Sequence, residues 1–177
     1  MTKFVLICAA LAATASLSLA QSYTSPPAET SLTIAGKAIT IHYSAPSVHG
    51  RQIFGDGGRI SHDPHYPVWR AGANAATALH TDADLDIQGL HVPAGDYTLF
   101  VNVADPDHWE FIVSKDTKEW GLAYKANMDL GRVKMEMSKP AAPIEVYKMT
   151  LTSSGGHSGK LQLEWENHIA SVSFTAK

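Results

Sequence analysis

The feature that most constrains this chain is a period-two alternation of apolar and polar residues, broken every few residues by turn formers. Such short alternating runs describe strands with one face buried and one face wet, not helices. Leu32 and Ile34 alternate with polar neighbours, and Ile39, Ile41 and Tyr43 do the same. Gly36-Lys37 lies between them, as in a hairpin. In "DADLDIQGLHVPAGDYTLFVNV" the turn signals are Gln88-Gly89 and Pro93-Ala94-Gly95. Tyr97, Leu99, Val101 and Val103 then share one face, with Thr98, Phe100 and Asn102 on the other, which predicts a strand covered on much of both sides. "HWEFIVSK", "GRVKMEMSK", "IEVYKMTLTS", "KLQLEWEN" and "IASVSFTAK" continue the pattern. Only Asn74–Leu79 and Tyr124–Leu130 have room for a helical turn, and neither sustains a 3.6-residue period. The expectation is one all-β domain, an antiparallel β-sandwich of about nine or ten short strands with little helix, a jelly roll being one option.

The first residues stand apart from this pattern. Lys3 precedes an apolar run from Phe4 to Ala13, and Ser18-Leu19-Ala20 offers small residues for cleavage before Gln21. Residues 1–20 therefore read as a secretory signal, 21–29 as an extended lead-in stiffened by Pro26-Pro27, and 30–177 as the sandwich. The apolar run is shorter than the roughly 20 residues a membrane helix needs. The expected location is periplasmic or extracellular, with no membrane anchor after cleavage. Cys8 leaves with the signal, so stability must come from a core and not from disulfides. Without Lys3 the chain keeps 13 basic and 17 acidic residues, a formal charge of −4. That balance argues against a nucleic-acid partner.

Three groups of residues could carry chemistry. His62, Asp63 and His65 in "ISHDPHYP" offer imidazole and carboxylate to a divalent metal, with His42, His49 or His80 available as a third ligand only through the fold. The alternative is a solvated, Pro-rich loop, and no cofactor is expected. Asp82, Asp84 and Asp86 alternate like a calcium loop, but Ile87 and Pro93 stand where an EF-hand needs Gly and Glu. No nucleophile elbow or Ser-x-x-Lys is present. Glu164 and Glu166 in "LEWEN" share a strand face about 7 Å apart, the separation of a hydrolase carboxylate pair or of a wet strand face. The third group lies in "PVWRAGANAATAL". There Trp69, Arg70 and Asn74 could line a pocket, with guanidinium for an anion, indole for stacking and amide for orientation. They could equally form a lock, with Gly72 and Asn74 shaping the backbone and Arg70 bridging to a carboxylate.

Several segments, in order, resemble an uncharacterised exported bacterial family called domain of unknown function 2911. They are "SPPAET", "ITIHYSAPSVHGRQIFG", "VWRAGANAAT", "DADLDIQGLHVPAGDYTLF", "WEFIV", "EWGLAY" and "LQLEWENHIASVSF". The resemblance implies a secreted β-rich domain with no assigned reaction. It marks Tyr43, Ser47, Gly50, Arg51, Trp69, Arg70, Gly72, Asn74 and Thr77 as a common site or a common lock. The family's link between "IFG" and "VWR" commonly resembles "VPYGK". Here it is "DGGRISHDPHYP", which sets the His62/His65 group apart.

These readings together favour a non-enzymatic exported module that binds a ligand or a partner, whether small molecule, glycan or protein. The alternatives are a hydrolase using the Glu164/Glu166 pair or a histidine-bound metal, and a structural or assembly subunit. Oligomeric state is left open.

Overall fold

The computed structural model describes residues 25–117 and 121–177. The secretory segment 1–20, Cys8 and the first part of the lead-in lie outside the described residues, as do Glu119 and Trp120 of "EWGLAY". Thirteen strands follow in chain order: β1 (Pro27–Ile34), β2 (Lys37–Ser44), β3 (Val68–Trp69), β4 (Thr77–Thr81), β5 (Leu85–Ile87), β6 (Leu90–Val92), β7 (Gly95–Asn102), β8 (Glu110–Ser114), β9 (Asp129–Lys134), β10 (Glu136–Ser138), β11 (Ile144–Gly155), β12 (Ser158–Glu166) and β13 (His168–Ala176). One sheet runs β1-β2-β4-β7-β8-β9 with β3 beside β7, and the other runs β11-β12-β13-β5-β6 with β10 beside β13. All the pairings within them are antiparallel. The all-β sandwich is thus present. The strand number exceeds nine or ten because β3, β5, β6 and β10 have only two or three residues, too few to show a period.

Local chemistry accounts for most boundaries. β1 begins at Pro27, inside the stretch read as lead-in, because the first residue of an edge strand tolerates the missing N–H. The β1–β2 turn is Ala35-Gly36 and not Gly36-Lys37: Ile34 pairs with Lys37, and both turn residues have positive φ, 52° and 77°. Gln88-Gly89 makes the matching turn between β5 and β6, as its sequence predicts. The alternation of "GRVKMEMSK" runs unbroken, yet it spans two sheets. β9 belongs to the first and β10 to the second, and Met135 at the crossing donates its N–H to Trp109 O at 2.9 Å. Asn74–Leu79 proves to be a turn entering β4, and Tyr124–Leu130 holds one short 3₁₀ turn, Ala126–Met128. A second 3₁₀ turn, Arg59–His62, arises in the His-rich loop.

The core changes character along its length. Ile39, Ile41, Leu79, Leu99, Leu161 and Val172 fill one region with aliphatic side chains. Another is aromatic: Trp69 of β3 stacks on Trp165 of β12 at 5.7 Å and 24°, joining the two sheets, while Phe54 sits edge-on to both. β7 is covered on both faces, as its sequence predicts. Leu99 and Val101 enter the main core, while Phe100 joins Val68 and Ile112 in a second cluster beneath the Tyr124 ring, 4.9 Å away.

Candidate functional site

β3 and β4 pair with the same strand, and this fixes what the segment between them does. Trp69 lies opposite Val101 and Thr77 opposite Leu99, so the chain leaves the flank of β7 after Trp69 and returns two positions along it. Residues 70–76 form the excursion, and its own polar groups hold it. Trp69 Nε1 donates to Gly72 O at 2.9 Å, and Thr77 Oγ1 donates to Ala71 O at 2.8 Å. Asn74 Nδ2 reaches Ser25 O at 3.1 Å. The left-handed conformations fall on Ala71 (φ 51°) and Asn74 (φ 58°), not on Gly72. Gly72 is needed for space: a Cβ there would lie 3.0 Å from Ser44 O and 3.2 Å from Thr77 Oγ1.

Arg70 anchors the excursion to the His-rich loop. Its Nη1 donates to Asn74 O at 3.1 Å and its Nη2 to Asp63 Oδ2 at 2.7 Å. Asp63 Oδ1 accepts the backbone N–H of His65 at 3.2 Å, so both carboxylate oxygens are engaged. Gly121 packs on this arrangement, since a Cβ there would approach Arg70 Cδ to 2.5 Å and Asn74 O to 2.6 Å. That close approach is the structural content of the glycine in "EWGLAY".

Beside the locked loop lies a cleft of about 440 Å³, lined among others by Ser47, Arg51, Arg59, His62, Arg70 and Asn74, with Trp69 and Trp165 also contributing. Both indoles are nearly buried, at 3% and 4% exposure, so they present little stacking surface. Arg51 is tied locally, Nε to Val48 O at 2.9 Å and Nη2 to Ser47 O at 2.6 Å. The structure therefore brings Trp69, Arg70, Asn74 and Arg51 together, and the same loop is both lock and cleft wall.

Tyr43 is elsewhere. Its ring meets Tyr147 edge-on at 5.6 Å, and its hydroxyl accepts the N–H of Met149 at 3.1 Å, which makes it a strut from β2 to β11. Glu164 and Glu166 do not form a pair facing a cleft. Glu164 lies on the outer face of β12 and accepts Gln162 Nε2 at 3.1 Å. Glu166 enters the hairpin turn with φ 51° and accepts the N–H of Ile53 at 3.3 Å. The three metal candidates diverge as well: His62 Nδ1 meets Gly58 O at 2.9 Å, His65 Nε2 meets Leu122 O at 2.8 Å, and Asp63 holds Arg70. Among the described residues no group of three or more His, Cys, Asp or Glu is placed to share an ion. The Asp82, Asp84 and Asp86 carboxylates instead accept the backbone N–H groups of Ala38, Ala94 and Gly89.

Two residues of interest carry no distinguishing sequence pattern. Arg59 enters the cleft because the Arg59–His62 turn places it there; its nearest sequence cue is "GGR" in an otherwise irregular loop. His168 follows the β12–β13 turn and stacks on Trp109 at 5.1 Å and 18°, against Phe54 at 4.7 Å. Burial pulls its pKa below the ordinary imidazole value, opposed in part by Glu166. Its Nδ1 has no hydrogen-bond partner among the described residues and lies 3.8 Å from Glu166 Oε2. Tyr147, buried in the same aromatic cluster, has its phenol pKa pushed well above the usual value by burial.

Among the described residues no helix is long and apolar enough to cross a membrane. Neither curated proteins nor solved structures provide a match to the chain. A family model described as a protein of unknown function (DUF2911) matches residues 25–174, spanning both sheets and the whole of the cleft loop, and the chain belongs to that family.

Proposed function

We propose that the protein is an exported, non-enzymatic module that binds a small ligand in the cleft beside residues 70–76. The observation that carries this reading is a cleft of about 440 Å³ whose walls are fixed by internal hydrogen bonds from Trp69, Arg70 and Thr77. That volume lies within the range of small-molecule sites, and fixed walls lower the ordering cost of binding. The non-catalytic part rests on where the reactive groups are: Glu164 and Glu166 are absent from the cleft lining, and its imidazoles are engaged, His62 with a backbone carbonyl and His49 with Glu145 Oε1 at 3.9 Å. An assembly subunit would present a broad apolar face. The large apolar side chains exposed among the described residues are Tyr66, Leu122 and Val146. Export rests on the pattern of residues 1–20, and it places the mature amino terminus at Gln21.

The test is a ligand screen read by tryptophan fluorescence, because Trp69 and Trp165 contribute to the cleft wall. Ala73→Phe, which enlarges a side chain of the cleft wall, should weaken the response to any hit while the melting transition is retained. A hit that binds this variant as well as the wild type would place the site elsewhere.

A further inference from the structure

We infer that the cleft recognises a compact oxyanion, a phosphate or carboxylate carried on a small solute. This deepens the binding reading above and rests on it. The charge of the cleft opposes that of the chain. Among the described residues Arg51, Arg59 and Arg70 line it with Asp63 as their single acidic counterpart, whereas the whole protein carries a formal charge of −3. Asp63 is already spent, with one oxygen on Arg70 and the other on the His65 N–H. With its side chain only 7% exposed, it offers little to a cationic ligand.

The donors are in surplus. The Arg59 side chain is exposed and makes no hydrogen bond or ion pair among the described residues. Arg51 uses its Nε and Nη2 on carbonyls and keeps further N–H groups for another acceptor. Beneath the surface, Arg70 Nε and Trp165 Nε1 are buried without an acceptor among the described residues, and both residues line the cleft. Unanswered buried donors are costly and leave positive potential at the site. An oxyanion suits this surplus, its oxygens taking the forked N–H groups of the exposed Arg59 and Arg51 side chains, while the buried donors add only their positive potential. A neutral sugar does not, because the buried indoles give it no stacking platform.

The experiment is calorimetric titration of the purified protein with orthophosphate, citrate and glucose at low ionic strength. It is repeated on Arg59→Gln and on Lys160→Gln, which removes the same charge from β12 outside the cleft. The expected result is saturable binding of phosphate or citrate at one site per chain, and which of the two binds more tightly tells phosphate from carboxylate. Arg59→Gln should weaken it about tenfold or more. Added salt should weaken it too, and Lys160→Gln should leave it unchanged. Glucose binding as tightly as the anions, with no effect of Arg59→Gln, would overturn the oxyanion inference and leave the cleft as a binding site. Anion binding reduced equally by Lys160→Gln, or no binding of any of the three, would overturn it as well. Because Arg59 makes no side-chain bond among the described residues, its variant is expected to fold, and an unchanged melting transition verifies this.

Discussion

Arg70 Nη2 donates to Asp63 Oδ2 at 2.7 Å between side chains only 17% and 7% exposed. The Asp63 carboxylate, the one acidic group lining the cleft among the described residues, is thereby part of the framework. Removing one member of a largely buried pair leaves the other uncompensated. Asp63→Asn is therefore expected to destabilise the fold by about 3 kcal/mol in urea denaturation. The double variant Asp63→Asn with Arg70→Met should recover part of that loss. A loss under 0.5 kcal/mol, the size of an ordinary surface change, would show that the pair is not a lock.

Gly121 is predicted to be intolerant of the smallest enlargement. A Cβ would meet Arg70 Cδ and the Asn74 carbonyl, and the carbonyl belongs to backbone that cannot swing aside. Gly121→Ala should cost about 1–3 kcal/mol by overpacking. Gly36→Ala, where nothing lies within 4 Å but φ is 77°, serves as a comparison in which only backbone strain acts.

Tyr43→Phe separates strut from ligand contact. Losing the hydroxyl leaves the Met149 N–H without its acceptor, at a cost of about 1–3 kcal/mol. Hydrogen exchange at the Met149 amide should accelerate, while ligand affinity in the cleft stays unchanged.

His168 makes the protein sensitive to acid. Burial holds its folded pKa below the unfolded value of about 6.5, so the unfolded chain binds its proton first. The stabilisation is fully present above pH 6.5 and is lost as pH falls through the lower, folded pKa. His168→Phe should flatten the decline in melting temperature between pH 7.5 and pH 5.5. His80 has the opposite sign, because hydrogen bonds to Asp96 and Asp82 raise its pKa. Its contribution is present below 6.5 and fades as pH rises through the raised value, so His80→Gln should not flatten the acid limb.

The fold was more legible than the site because periodicity is a local property and convergence is not. Alternation located β7, β12 and β13, and the apolar Phe100 on the second face of β7 already required a cover. The sheet crossing at Met135 left no trace, since a strand that changes sheets keeps its alternation. Tyr43 shares a face with Ile39 and Ile41, so its burial was written in the same period that identified its strand. Arg70 and Asp63 stand seven positions apart across a cis Tyr66-Pro67 bond, and nothing local announces that they meet. Arg59 and Trp165 come from segments distant in the chain and share the cleft only after the sheets pack.

The most direct test of the account follows the arginine side chains themselves. In a nitrogen–proton spectrum of the labelled protein titrated with orthophosphate, the Nε–H signals of Arg51 and Arg59 should shift saturably with one common affinity. The amide signals of Lys148 and Lys160 on the second sheet should stay fixed. Linear, unsaturated shifts spread across basic residues on both sheets would contradict the assignment of this cleft as the binding site.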